Sequence, residues 1–221
     1  LIIFFSITNF NVFGHVVHYK NYNYLEYELY RNNKLIGFHK YNFERNNDLL
    51  TVKSHVEFNI IKLGVNLYKY KAISEESYKK DRFFSFSSKT NQNKKEKYVN
   101  IKVDEKNDKL IIDGSSYKGD SDRNFIIGTW WNHEILQAKA QISAISGRII
   151  HQKVTFLGKE KLDINGTIYD ALHFNFSSSD TSLPDKKKLN TDIWYDEKTN
   201  LWLKASFDKT GYWEYRIKKY Y

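Results

Sequence analysis

The chain has 221 residues, no Cys, no Met, a single Pro and a net charge of +9. Without Cys it can form no disulfide, no thiolate metal site and no Cys nucleophile, and a chain of this length can bury a core without them. Lys and Glu are interspersed through most segments rather than segregated, which favours a solvated basic surface over a nucleic-acid interface.

Residues 1–14, LIIFFSITNFNVFG, are uncharged and mainly apolar. This pattern predicts a truncated secretory signal peptide, with Val12 and Gly14 at the positions of a cleavage site. The run is shorter than the roughly 20 apolar residues of a membrane span. A buried N-terminal strand is the alternative. If the signal peptide is cleaved, residues 15–221 are expected to form a single β-barrel-like domain, exported and soluble in the periplasm.

Apolar and polar residues alternate in several segments, a pattern typical of strands with one buried face. The clearest segment runs from Leu50 to Ile60, and its apolar face carries Leu50, Val52, Val56, Phe58 and Ile60. Turn signals separate these segments, and Asn165–Gly166 is the strongest because both residues tolerate positive φ. The pattern predicts a mainly β fold of ten to twelve strands, a large antiparallel meander curved into an open or closed barrel.

One segment departs from this alternation. Between Asn132 and Ile145 the apolar residues recur at three- and four-residue steps, which predicts one inserted helix over 132–145. Asn132 would cap its start and Gly147 would end it. We expect this helix to cover one end of the curled sheet.

The string Gly-Thr-Trp-Trp-Asn-His-Glu at 128–134 is the densest cluster of functional residue types. His133–Glu134 does not begin a zinc-peptidase motif, because the second His would stand where the chain has Gln137. The two Trp either pack the predicted helix against the sheet or stand at the mouth of a ligand cavity. No nucleophile elbow, phosphate-binding loop or metal-ligand spacing is present, so we assign no catalytic residue, no metal and no cofactor.

Three strings carry a resemblance to a known family: YELYR at 27–31, GTWWN at 128–132 and WYDEKTNLWLK at 194–204. Together they resemble a bacterial exported family catalogued as a domain of unknown function, number 6134, itself related to number 3108. The third string is also similar to a hairpin of the periplasmic lipoprotein carriers. The resemblance implies a curved antiparallel sheet wrapped around a helix, export to the periplasm, and no established activity or catalytic residues.

The leading functional expectation is a periplasmic binding or carrier protein for an apolar or amphipathic, lipid-like ligand. Inward aromatic side chains would shelter its acyl part and Lys on the rim would meet a phosphate or carboxylate head. The candidate ligand-binding residues are Phe58, Tyr68, Tyr70, Trp130, Trp131, His133, Phe174, Phe176 and Trp213. Each of them could instead fill an ordinary core.

Two other function classes remain open. The second is an envelope scaffold or assembly factor that holds a partner protein by a strand edge or an aromatic patch, and the third is an enzyme acting on envelope glycans or lipids. We expect no nucleic-acid partner, and the basic surface allows peripheral contact with anionic membranes.

Overall fold

The structure, a computed structural model, describes residues 19–221, so the predicted signal peptide at 1–14 lies outside the described residues. Fifteen strands form one sheet in which neighbours are antiparallel except for the parallel pair β9–β10. The strands are β1 (Tyr24–Arg31), β2 (Lys34–Asn46), β3 (Leu49–Lys62), β4 (Val65–Lys79), β5 (Arg82–Gln92), β6 (Lys95–Asp104), β7 (Lys109–Gly114), β8 (Lys118–Asp122), β9 (Ile126–Ile127), β10 (Ala140–Ile142), β11 (Ile149–Ile164), β12 (Thr167–Ser178), β13 (Asn190–Asp196), β14 (Trp202–Asp208) and β15 (Tyr212–Tyr220).

From β1 in the middle of the sheet the chain runs strand by strand to one edge at β8. It then crosses to the other edge at β9 and returns strand by strand to the middle at β15. The spatial order is β8-β7-β6-β5-β4-β3-β2-β1-β15-β14-β13-β12-β11-β10-β9, so the first and last strands pair in the middle. At the ends of that pair the backbone N–H of Tyr24 donates to the carbonyl of Tyr221 at 3.1 Å, and the reverse bond measures 3.2 Å. The edge strands β8 and β9, by contrast, are consecutive in the chain.

The sheet is curled so strongly that its two edges approach each other. Only residues 123–125 connect β8 to β9, and four extended residue steps span at most about 14 Å. No backbone ladder joins the edges. Apolar side chains bridge the gap instead, since Phe86 and Ile101 share a buried cluster with Ile127 and Ile142. The predicted curved antiparallel meander is therefore confirmed as an open, barrel-like sheet, with fifteen strands rather than ten to twelve.

The alternation identified the inner face of β3 correctly. Leu50, Val52, Val56 and Phe58 are buried there and Ile60 is half-buried. The predicted Asn165–Gly166 turn is also confirmed, because the residues have φ of 54° and 83° and join β11 directly to β12.

The predicted helix over 132–145 is wrong. The segment forms a single 3-10 turn at His133–Leu136 and then the short strand β10. Asn132 does cap the turn, since its Oδ1 accepts a hydrogen bond from the N–H of Glu134 at 3.1 Å. No helix in residues 19–221 has the length and apolar character that a membrane crossing requires.

A side chain from β11 explains why the helix does not form. The Nε2 of Gln152 donates to the carbonyls of Ile135 and Ala138 at 2.9 and 3.0 Å. An α-helix would need those same carbonyls for its own i→i+4 bonds. Gln141 also donates from its Nε2 to the Oε1 of Gln152 at 2.7 Å, which holds β10 beside β11. Tertiary hydrogen bonds thus replace the helical ones.

The turn after β10 occupies the inner face of the sheet. The Oγ of Ser88 on β5 donates to the carbonyl of Ala144 at 2.6 Å, and the N–H of Ser116 donates to the carbonyl of Ser146 at 2.9 Å. Ile145 packs against the buried cluster that contains Phe58. Residues 143–147, which we call the inner turn, therefore fill space inside the curl, where the family resemblance implies a helix.

The inner turn leaves no room for a side chain at Gly114. A Cβ there would lie 2.6 Å from the carbonyl oxygen of Ser146 and 2.9 Å from the Cα of Gly147. We expect Gly114→Ala to displace the inner turn and lower the free energy of unfolding by about 1–3 kcal/mol, the usual effect of overpacking. Urea unfolding of this variant beside Ser116→Ala, whose side chain is exposed, measures the effect, and equal midpoints for the two variants would contradict it.

Candidate functional site

A cleft of about 560 Å³ opens at one end of the curled sheet. It lies where the β4–β5 turn, the β6–β7 turn, the β8–β9 connection and the 3-10 turn come together, and we call it the end cleft. One wall is apolar and is formed by Phe83, Phe125, Ile126 and Ile127. The volume is within the range of small-molecule sites, about 300–1,000 Å³.

A buried carboxylate, Glu76, lies next to two residues of the cleft lining. Glu76 is on the inner face of β4 and is only 2% exposed. It accepts hydrogen bonds from the hydroxyl of Tyr78, from the Oγ1 of Thr129 at 3.1 Å and from the Nε1 of Trp131 at 3.2 Å. The Nδ2 of Asn132 donates to the Tyr78 hydroxyl at 3.2 Å. The 128–132 string is thus fastened to β4 through the side chains of Glu76 and Tyr78.

This environment places the titration of Glu76 near neutral pH. Burial raises the pKa of the Glu76 carboxyl to about 7, although its bonds from Tyr78, Trp131 and Thr129 act in the opposite direction, and the charge of Glu134 raises it further. Burial and the nearby Glu76 charge raise the pKa of Tyr78 well above its usual range, so Tyr78 keeps its proton. Tyr78 and Asn132 both line the end cleft, so Glu76 is one hydrogen bond away from it.

The charged side chains of the cleft are predominantly acidic. Arg123 donates from Nη2 to the Oε1 of Glu105 at 3.4 Å, while its Nη1 is buried and has no hydrogen-bond partner. Arg82 is the other guanidinium of the lining. The carboxylates are those of Asp81, Glu105, Asp108 and Glu134. The Lys rim expected around a phosphate head is not found among the residues that line this cleft.

The structure divides the predicted ligand-binding residues among three places. His133 alone lines the end cleft. Phe58, Tyr68, Tyr70 and Trp213 lie together at the opposite end of the sheet, where the Phe58 ring is 4.7 Å from Tyr70 and 5.2 Å from Trp213.

The remaining four predicted residues belong to the main core. Trp131 and Phe176 are fully buried in it, and Trp130 and Phe174 pack against it from half-buried positions. The Trp130 ring is 5.3 Å from the ring of Trp202. Their assignment to a ligand site stays a prediction.

Neither Glu76 nor Arg123 was predicted from the sequence as a site residue. The position of Glu76 could have been noticed in the sequence. It alternates with Ser74 and Tyr78 on the inward-facing side of β4, where a charged residue is uncommon. Nothing in the sequence distinguishes Arg123, since it belongs to a polar segment that is typical of a loop. Among residues 19–221 no three His, Asp or Glu side chains are placed to hold a metal ion.

These features define a barrel-like all-β protein whose open sheet is filled mainly by its own side chains. The model of the family described as Domain of unknown function (DUF6134) matches residues 27–218, and the chain belongs to that family. A crystal structure of a β-barrel-like protein of domain of unknown function DUF1849 from Brucella abortus has a similar fold. Its TM-score is 0.63 at 12% identity, over 90% of this chain and 96% of that chain. A search of curated proteins finds no match.

The raised pKa of Glu76 predicts a specific pH dependence of stability. Between the ordinary value of 4.5 and about 7 the folded state holds this proton while the unfolded state releases it. The stabilisation is therefore complete below pH 4.5 and is lost as the pH rises to 7, by on the order of 3 kcal/mol. We expect Glu76→Gln to remove that loss.

The measurement is the difference between the unfolding free energies of wild type and Glu76→Gln across this pH range. A difference is needed because His39, whose pKa burial lowers to about 3, changes stability in the opposite direction. Glu75→Gln, on the exposed face of the same strand, is the matched control. Parallel profiles for wild type and Glu76→Gln would contradict the assignment.

Proposed function

We propose that the protein is a non-catalytic binding protein that holds a small amphipathic ligand in the end cleft. The observation that supports this most directly is the combination of an apolar wall with an unpartnered, buried Nη1 of Arg123 in one open cleft. Phe83, Phe125, Ile126 and Ile127 would shelter the apolar part. Arg123 would donate to an acceptor on the polar part, because a buried donor without a partner is costly.

The charges of the cleft restrict the polar part of the ligand. Four carboxylates face two guanidinium groups in the lining, and one of those carboxylates, Glu105, already pairs with Arg123. A phosphate head would be repelled by this excess of negative charge. An uncharged acceptor, such as a sugar hydroxyl or an ester carbonyl, fits the site better. The ligand class expected from the sequence is kept, but its head group is revised from anionic to neutral.

The edge strands argue against one form of the alternative function, a scaffold that binds a partner protein by adding a strand to the edge of the sheet. β9 is only two residues long, and β8 carries Lys118, Asp120 and Asp122. Short or charged edge strands disfavour pairing with another chain.

We propose a periplasmic location as well, which rests on the signal-like residues 1–14.

Calorimetric titration with three amphiphiles that share a dodecyl chain tests the ligand class. We expect dodecyl maltoside to bind more tightly than dodecyl phosphate, which the carboxylates repel, and than dodecylamine, whose ammonium group offers Arg123 no acceptor, all below their micelle concentrations. Arg123→Ala should weaken maltoside binding about tenfold or more, the effect of losing a hydrogen bond from a charged donor.

Arg148→Ala is the control, since this guanidinium lies outside the cleft lining and contacts the carbonyl of Lys187. Absence of binding by all three amphiphiles, or equal losses in both Arg variants, would count against the proposal.

A further inference from the structure

The β3–β4 hairpin extends beyond its neighbours. β2 last pairs with β3 at Gly37–Phe58, and β5 pairs with β4 only up to Gln92–Tyr70. Residues 59–69 therefore continue as a two-stranded ribbon with no strand ladder on either side, bonded to its neighbours through Asn93, and we call this ribbon the hairpin tip. Four residue pairs give it a length of roughly 10–15 Å.

The hairpin tip is apolar and exposed. Leu63 is 94% exposed, and Ile61, Val65 and Leu67 are all more than half exposed. Isolated exposed aliphatic residues are common on proteins, but a contiguous group at the end of a projection indicates an interaction site.

The backbone conformation of Leu63 is also unfavourable for a Leu residue. Leu63 and Gly64 form the two-residue turn, with φ of 51° and 76°. Turns of this kind favour Asn, Asp or Gly, and the comparable two-residue turns of the described residues use only polar residues or Gly, at Asn32–Asn33, Lys80–Asp81, Asn93–Lys94 and Asn165–Gly166. An apolar residue thus occupies a position where both solvent exposure and backbone conformation disfavour it.

A collar of positive charge surrounds the apolar residues. Lys62 and Lys69 lie on the hairpin tip, and Lys94 and Lys95 lie at the neighbouring β5–β6 turn, all exposed. Residues 59–71 contain no acidic side chain, and the β5–β6 turn region contributes one, Glu96. Each Lys near an anionic membrane surface contributes favourably to binding.

The hairpin tip is also held firmly at its base. The Nδ2 of Asn93 donates to the carbonyl of Leu67 at 3.2 Å, which ties the tip to the next turn. Beneath it, the ring of Phe58 stacks on Tyr70 and meets Trp213 edge-on. The apolar residues are therefore presented outward by a packed aromatic base.

We propose that the hairpin tip inserts Ile61, Leu63, Val65 and Leu67 into an anionic lipid surface while the Lys collar contacts the headgroups. Four aliphatic side chains offer less surface than the roughly 800 Å² that each side of a standard protein interface buries. Insertion needs only a small apolar element with basic flanks. The inference does not depend on the ligand proposed for the end cleft.

Co-sedimentation with vesicles tests the inference. We expect wild type to bind vesicles of phosphatidylglycerol and phosphatidylcholine in equal parts, and to bind pure phosphatidylcholine much more weakly. Leu63→Asn should reduce the partition coefficient about tenfold or more, from the lost burial of a Leu side chain. Because Asn suits the turn, the variant should melt no lower than wild type. Ile168→Asn is the matched control, since Ile168 is 60% exposed elsewhere on the sheet.

A second pair of variants tests the collar. Lys62→Glu with Lys69→Glu should reduce binding to anionic vesicles about tenfold or more, while Lys79→Glu with Lys80→Glu, at the other end of β4, should change it far less. Wild-type binding to neither vesicle, or unchanged binding by Leu63→Asn, would overturn the inference. It would also be overturned by self-association that Leu63→Asn abolishes in the absence of vesicle binding, which would assign the tip to a second copy of the chain.

Discussion

The pairing of β1 with β15 is the interaction on which the rest of this architecture depends. It joins the first and last strands of the described residues in the middle of the sheet, so each half of the meander grows outward from a common centre. On the inner face the ring of Tyr27 stacks on Trp202 at 3.9 Å, and its hydroxyl donates to the Trp202 carbonyl at 2.8 Å. These contacts join residues separated by most of the chain, and such contacts carry a high loop-closure cost during folding.

The same topology explains why the sheet has two chemically different ends. Successive hairpin turns alternate between the ends, so one end collects the hairpin tip and its Lys collar, while the other collects the turns that form the end cleft. Glu76 and Tyr78 link these turns to the core, because they fasten the 128–132 string, which follows the crossing of the chain from one edge of the sheet to the other at residues 123–125. The polar network and the apolar bridge between Phe86 and Ile142 together hold the unclosed side of the curl.

Local patterns predicted the local structure well. The alternation along Leu50–Phe58 and the Asn165–Gly166 turn depend only on neighbouring residues, and both are found as predicted. The helix over 132–145 was wrong because its carbonyls are taken by Gln152, a partner that periodicity cannot reveal. The end cleft could not be predicted for the same reason, since it is assembled from turns far apart in the sequence. Inward aromatic residues do not by themselves distinguish a cavity lining from a packed core.

The length of β4 sets the distance between the hairpin tip and the end cleft, which matters if the two proposed sites are occupied at the same time. β4 runs fifteen residues from the hairpin tip to the neighbourhood of Tyr78, about 50 Å in extended form. One leaflet of hydrocarbon is only about 15 Å thick. If the protein is bound to the membrane through its hairpin tip, a lipid whose chains remain in the bilayer is therefore too short to reach the end cleft. The Debye length in physiological salt is about 8 Å, so the acidic lining would be screened from the negative lipid surface below. Docking and an acidic binding site can therefore coexist in one molecule without electrostatic conflict.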